Sequence, residues 1–316
     1  MQPFSAGPTN PPRFLNIIST KRSGHHAFIR WIEAGSRGPT QFINNAAPTE
    51  TLIGSMTSLA QVMPEAGTII LNYEGVSIAG VSKVIGAQEA TGANVCNVLF
   101  VRDPLNACAS LLHRKALRYA ELVMILRQLF ALRNWLRLYQ TGKFNGNIAF
   151  YNQWLVSREY RASLADRLSI TSTPPPDEIT SFGGGSSFKD ISTGGEGAAS
   201  RLLHRWKKYQ DDSLFRALIT HPHFFQTFMD EVSGAIRDEN GLGDDDAERA
   251  AFLEEAHKKR PRHSMVDRVI DGMVNNEKVY EEIEARPPGL QKRLIIAGAY
   301  LRALLPHRMG RLGSQL

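Results

Sequence analysis

"LNIISTKRSGHHAFIRWIEAG", residues 15–35, joins an apolar run, a short basic turn and an amphipathic segment. The run at 15–20 predicts a buried strand, and the segment at 24–33 predicts the start of a helix. A turn between a strand and a helix presents backbone N–H groups at the helix N-terminus, where the helix dipole adds positive potential. Gly24 lets the backbone approach a ligand closely. Ser23 offers a hydroxyl, and Lys21 and Arg22 supply charge. The turn is therefore a candidate phosphate cradle. It is not the Walker loop, because the leading glycine and the closing Lys-Ser/Thr pair are missing. A basic helix cap without a ligand is the competing reading.

Outward from this stretch, apolar runs alternate with helical patterns. Strands are predicted at 68–73 ("TIILNY"), 95–101 and 148–151, with a helix at 77–89 after the second strand and a long helical stretch, broken once, at 106–139. Another helix follows the last strand. Continuous apolar strands separated by helices argue for a parallel sheet covered on both faces, an α/β three-layer architecture. Beyond Leu168 the character changes to a Pro- then Gly-rich loop, "TSTPPPDEITSFGGGSSF". Helices are expected at about 196–218 and 223–237. An acidic connection leads into a further helix, and helical additions close the chain. The expected organisation is a loose, Pro-rich segment at 1–12, an α/β domain over 13–240 and a C-terminal helical extension over 241–316 packed on it.

The chain of 316 residues is long enough to bury a sizeable core. Its net charge of +6 favours anionic partners but is too mild to demand nucleic acid, and no nucleic-acid partner is expected. The two cysteines, Cys96 and Cys108, suit a reducing compartment and form no metal-ligand cluster. The first residues lack a signal-peptide pattern, and no apolar run approaches the ~20 residues needed to span a bilayer. A cytoplasmic protein is expected. The basic "HKKRPRHS" at 257–264 is taken as a solvated turn.

A second motif is "VLFVRDPLNACASLLHR". A buried strand ends at Arg102-Asp103-Pro104. Pro104 suits a first helical position and Asp103 a cap. Ser110 lies about two turns into the helix that Pro104 opens. An arginine at the carboxyl end of a parallel strand sits where α/β sheets bind ligands. Arg102 and Ser110 can jointly hold a second phosphate, while a structural Arg-Asp pair is the competing reading.

Together and in this order, "TKRSGHHAF" and the R-D-P run with its serine resemble the sulfotransferases that use 3′-phosphoadenosine 5′-phosphosulfate (PAPS), over about residues 14–210. The resemblance implies a P-loop-like fold. It also implies that Lys21, Arg22, Ser23, Gly24, His25 and His26 grip the 5′-phosphosulfate and that Arg102 and Ser110 hold the 3′-phosphate. "FGGGSSF" is similar to a loop folded over the adenine, which would place Gly184, Gly185, Ser186 and Phe188 against the cofactor, and "RLLHRWKKY" is similar to the basic segment near it. Two departures stand out: Lys21 replaces a common proline, and His25 and His26 replace hydroxyl residues. Adjacent helical positions point about 100° apart. His25 is therefore taken as the ligand contact and His26 as packing, and no metal shared between them is expected.

The chemistry implied is transfer of a sulfuryl group to a hydroxyl or amine of a carbohydrate or small-molecule acceptor. Arg22 would stabilise charge on the leaving oxygen. Relatives place a Glu or His at the end of the next strand as general base, and that position here is Glu74. An ordinary exposed carboxylate is the competing reading for Glu74, and His25 is the next candidate base. Alternatives for the whole chain are a P-loop-like nucleotide kinase and a non-catalytic nucleotide-binding protein.

Overall fold

β1, Arg13–Ser19, runs through the middle of the sheet, with six of its seven residues buried. The computed structural model describes residues 12–63, 67–112, 119–175, 202–221, 246–260, 267 and 270–271, with 119–125 and 246–247 as backbone only. Parallel partners lie on both sides of β1: β3, Thr68–Glu74, and β4, Asn94–Val101. The edges are β2, Thr40–Ile43, beside β3, and β5, Asn147–Phe150, beside β4. The order β2-β3-β1-β4-β5 is that of a parallel α/β sheet. From β1 the chain builds one side of the sheet and then crosses to the other, so the carboxyl end of β1 marks the switch point where such sheets place ligands.

The register settles which side chains share a face. Leu15 and Ile17 of β1 point with Ile70, Val98, Phe100 and Ala149 into a single apolar cluster. That face is covered by α1, His25–Gly35, whose buried residues Phe28, Trp31, Ile32 and Gly35 follow helical spacing. Helices α6, Tyr151–Val156, and α7, Arg158–Arg167, complete the cover through Trp154 and Leu164. Phe28 stacks on Phe100 at 4.6 Å and meets Trp154 edge-on at 5.7 Å. On the other face Asn16 meets Gln88 of α3, Ile78–Glu89.

Two compact units divide the chain: residues 1–103 with 134–203, and residues 104–133 with 204–316. This division differs from the expected domain over 13–240. The first unit holds the sheet. The second holds α4, Pro104–Leu112, which starts at the expected proline, the first part of α5, Tyr119–Gln140, a 3₁₀ turn at Arg205–Tyr209, α8, Ser213–Ile219, and α9, Asp246–Lys258. Its described core includes Trp206 stacked on Phe252 at 4.8 Å.

The main departures from expectation lie where the hydrophobic pattern is weak. β2 has two apolar residues in four and none of the four is buried, so it carries no strand signal of its own. α2, Glu50–Val62, buries only Met56 and is started by Thr49, whose hydroxyl accepts from Leu52 N–H at 3.2 Å. The helix expected over 196–218 is corrected in its described part. A 3₁₀ turn ends near Gln210, and α8 restarts with Asp212 as its cap, accepting from Phe215 N–H at 2.8 Å. β5 ends at Phe150, and Tyr151 opens α6 instead of closing the strand. The segment expected to be helical at 223–237 lies outside the described residues.

Candidate functional site

The turn at residues 20–24 is built from unusual backbone. Arg22 and Gly24 have φ of 64° and 91°, left-handed values on either side of Ser23. For a non-glycine residue this costs ~1–2 kcal/mol. The Arg22 conformation is braced from the end of β4: the guanidinium of Arg102 donates to the Arg22 carbonyl at 2.9 Å and to the Leu202 carbonyl at 3.0 Å. Arg102 is buried and lies over the Tyr151 ring at 4.9 Å. Burial pulls the guanidinium pKa below its ordinary value, while Tyr151 acts the other way.

Gly24 does more than open room for a ligand. A Cβ there would lie 2.4 Å from the Tyr151 ring, so the glycine lets the turn close onto the residue that also carries Arg102. Gly24 is the N-cap of α1, with no side-chain cap bond and no acidic residue in the first turn. By contrast, α2, α3 and α8 are capped by Thr49, Ser77 and Asp212. The start of α1 thus lacks a capping side chain, the kind of helix start that can receive an anion. Lys21 is exposed on the turn before it.

His25 lies on the buried face of α1, in helical register with Phe28, Ile29 and Ile32. Glu74 lies two residues beyond Asn72 and four beyond Ile70, hence on the sheet face that α1 covers. The β1–β3 register sets Ser19 against Glu74, and Gly75, at φ 63°, donates its N–H to the Ser19 carbonyl at 2.8 Å. Helix face and strand face therefore converge at one corner. His25 Nε2 is 2.9 Å from Glu74 Oε1, and His25 Nδ1 is 3.0 Å from Ser23 Oγ. Asn72 Nδ2 donates to the same Glu74 oxygen at 3.2 Å and to Asn44 Oδ1 at 3.0 Å. Glu74 is a largely buried carboxylate with 9% side-chain exposure, which removes the ordinary surface reading of this residue.

The expectation that His25 and His26 diverge is corrected. Their ring centroids are 4.3 Å apart, and His26 Nε2 comes within 4.0 Å of Glu74 Oε1. The 100° step separates the Cβ atoms, but both rings reach back toward one carboxylate. Burial and the neighbouring His25 push the His26 pKa down to about 4, against the pull of Glu74, so this ring is neutral at pH 7. Burial drives Glu74 upward, but the contact with His25 and the charges of His25, Lys21 and His26 outweigh it and hold the carboxyl below its ordinary 4.5. Glu74 is ionised at neutral pH.

Lys21, Arg22, Ser23, Gly24, His25, His26, Glu74 and Arg102 all belong to the sheet unit. Ser110 belongs to the other unit. It is buried on α4, with Arg205 Nη1 3.4 Å from its hydroxyl. Gly184, Gly185, Ser186 and Phe188 lie outside the described residues. The sequence reading passed over Asn72 and Tyr151. An asparagine inside an apolar run, two positions before a carboxylate, was the available signal for the first. The second became visible only through its contacts with Gly24 and Arg102.

Comparison with protein-family models, with curated proteins and with solved structures finds no match. Among the described residues no helix is long and apolar enough to cross a membrane.

Proposed function

We propose that this chain is a PAPS-dependent sulfotransferase acting on a hydroxyl or amine of a carbohydrate or small molecule in the cytoplasm. One observation carries the reading most. At the end of β3 an ionised carboxylate, Glu74, meets the first residue of the helix after the basic turn, at 2.9 Å. An anion cradle and a proton acceptor therefore share one corner of the sheet. The uncapped start of α1, with Lys21 and Arg22 on its turn, fits a phosphosulfate group.

The donor supplies an activated sulfuryl group. The acceptor oxygen or nitrogen attacks sulfur, the bond from sulfur to the bridging phosphate oxygen breaks, and 3′-phosphoadenosine 5′-phosphate (PAP) leaves. Lys21, Arg22 and the amides at the start of α1 stabilise the charge that grows on the departing oxygen. Glu74 takes the acceptor's proton. His25, held by Ser23, and Asn72 both address Oε1 of that carboxylate and set its orientation. Arg102 braces the turn through the Arg22 carbonyl and is the proposed reader of the 3′-phosphate.

The test is direct. Purified protein is incubated with labelled PAPS and a panel of hydroxyl and amine acceptors, and PAP and AMP are compared by calorimetry. Sulfate transfer and a preference for PAP over AMP of more than tenfold are expected, since a charged hydrogen bond contributes roughly 1.5–3 kcal/mol. Equal affinity for PAP and AMP with no transfer overturns the reading.

A further inference from the structure

We propose that His25, His26 and Glu74 form a binding site for a divalent first-row metal ion of the zinc type. One ligand atom from each residue lies within 4.8 Å of the other two. His25 Nε2 and His26 Nε2 stand 2.9 Å and 4.0 Å from Glu74 Oε1. Around a tetrahedral zinc ion with bonds near 2.0–2.1 Å, neighbouring ligand atoms sit roughly 3.3 Å apart, so the two distances straddle the required value. The remaining pair of ligand atoms lies within 4.8 Å, and rotation of the two imidazoles about their side-chain bonds would draw the set together.

The surroundings match what a metal centre requires of its supports. Ligating histidines characteristically engage their second ring nitrogen with a polar partner, and ligating carboxylates are themselves hydrogen-bonded. Here Ser23 Oγ lies 3.0 Å from His25 Nδ1, leaving Nε2 directed at the carboxylate. Asn72 donates to Glu74 at 3.2 Å and is itself fully buried. Two imidazoles and one carboxylate suit zinc or cobalt over magnesium or calcium, which take oxygen ligands. Three protein ligands leave a fourth position for water or an anion oxygen.

The ion competes with a proton for Glu74, so a bound ion withdraws the carboxylate from proton transfer. That consequence rests on the sulfotransferase reading, whereas the binding itself does not.

Full-length protein stripped with chelator is titrated with Co²⁺, followed by its visible absorption, and with Zn²⁺, followed by calorimetry, both without nucleotide. One saturable equivalent is expected, with Zn²⁺ displacing Co²⁺. Ser23→Ala, which removes only a supporting partner, should weaken binding by about 10–100-fold. His26→Ala and Glu74→Gln should each weaken it by at least that much, and His257→Ala, at an exposed position on α9, should leave it unchanged. Circular dichroism of each variant checks folding, and Glu74→Gln decides the matter if His26→Ala does not fold. Absence of saturable binding to the intact protein overturns the site. Undiminished affinity in folded His26→Ala or Glu74→Gln does so too. PAP binding, measured separately, is untouched by either failure.

Discussion

Asn16 and Glu74 both bring polar atoms into the buried sheet, one in the middle of β1 and the other at the end of β3. Around Asn16 everything is neutral and matched. Its amide donates to Gln88 at 2.7 Å and to Asn97 at 2.8 Å, and its carbonyl accepts from Gln88 at 3.0 Å and from the Tyr73 hydroxyl at 3.3 Å. Asn97 passes its own N–H to the Asn145 carbonyl. Around Glu74 the side chains are ionisable, and two imidazoles and an amide converge on one oxygen. The first cluster is a closed network that links three strands and α3. The second keeps groups whose bonding depends on a proton or a cation, and it lies where the sheet opens. Buried polarity in the sheet centre is thus matched within a neutral network, and at the sheet end it lies in the ionisable groups on which the proposed function rests.

The largest expected effect separates the two clusters by turnover. Glu74→Gln keeps size and polarity but removes the proposed proton acceptor. It should lower sulfate transfer by about 10²–10⁴-fold with PAP affinity preserved. Rate measurements in the presence of chelator check this, and an equal loss in an Asn16 variant would erase the distinction.

Gly24→Ala tests the backbone under the site. The new methyl meets the Tyr151 ring, and the left-handed φ of 91° disfavours any side chain. Overpacking of about 1–3 kcal/mol and backbone strain of about 1–2 kcal/mol should appear as a lower urea midpoint.

Asn16→Leu should act on stability alone. It strands polar groups of Gln88, Asn97 and Tyr73, at a cost of about 1–3 kcal/mol for each group left unsatisfied. Urea unfolding should register the loss while PAP affinity stays within about twofold of the parent, because no atom of this network reaches the turn.

The smallest effect is a pH dependence. The folded His26 resists protonation down to about 4, whereas the unfolded ring takes a proton near 6.5. The unfolded state then binds more protons in this window, so stability is constant above pH 6.5 and falls toward pH 4. Glu74, held below 4.5 when folded, extends the loss to lower pH. Solvent screening keeps the slope from His26 under about 1 kcal/mol per pH unit. His26→Gln should flatten this limb in unfolding curves recorded at pH 7, 6, 5 and 4, and an unchanged slope assigns the acid sensitivity elsewhere.

Several parts of this molecule were legible without coordinates. β1, β3 and β4 are continuous apolar runs alternating with helical patterns, which is how strands buried on both faces of a parallel sheet read. Pro104 announced the start of α4, and the basic turn before His25 announced the start of α1. β2 was not legible, because an edge strand with little buried surface needs no apolar pattern. α2 was not either, since only Met56 of its thirteen residues is buried.

The corner at Glu74 shows where local sequence stops and tertiary structure begins. Periodicity alone determines that Ile70, Asn72 and Glu74 share one face of a strand, and that His25, Phe28 and Ile32 share one face of a helix. Only the register Ser19 to Glu74, with α1 on that face of the sheet, decides that the two faces meet at 2.9 Å. The same holds for Arg102, whose sequence position promised a ligand-facing guanidinium and whose packing ties it to the carbonyls of Arg22 and Leu202. Side-chain period is a property of the local backbone, written in every few residues. Which strand lies beside which, and what a buried cation bonds to, depends on contacts between residues far apart in the chain, 80 positions for Arg102 to Arg22 and 100 for Arg102 to Leu202, settled only when the whole core is packed.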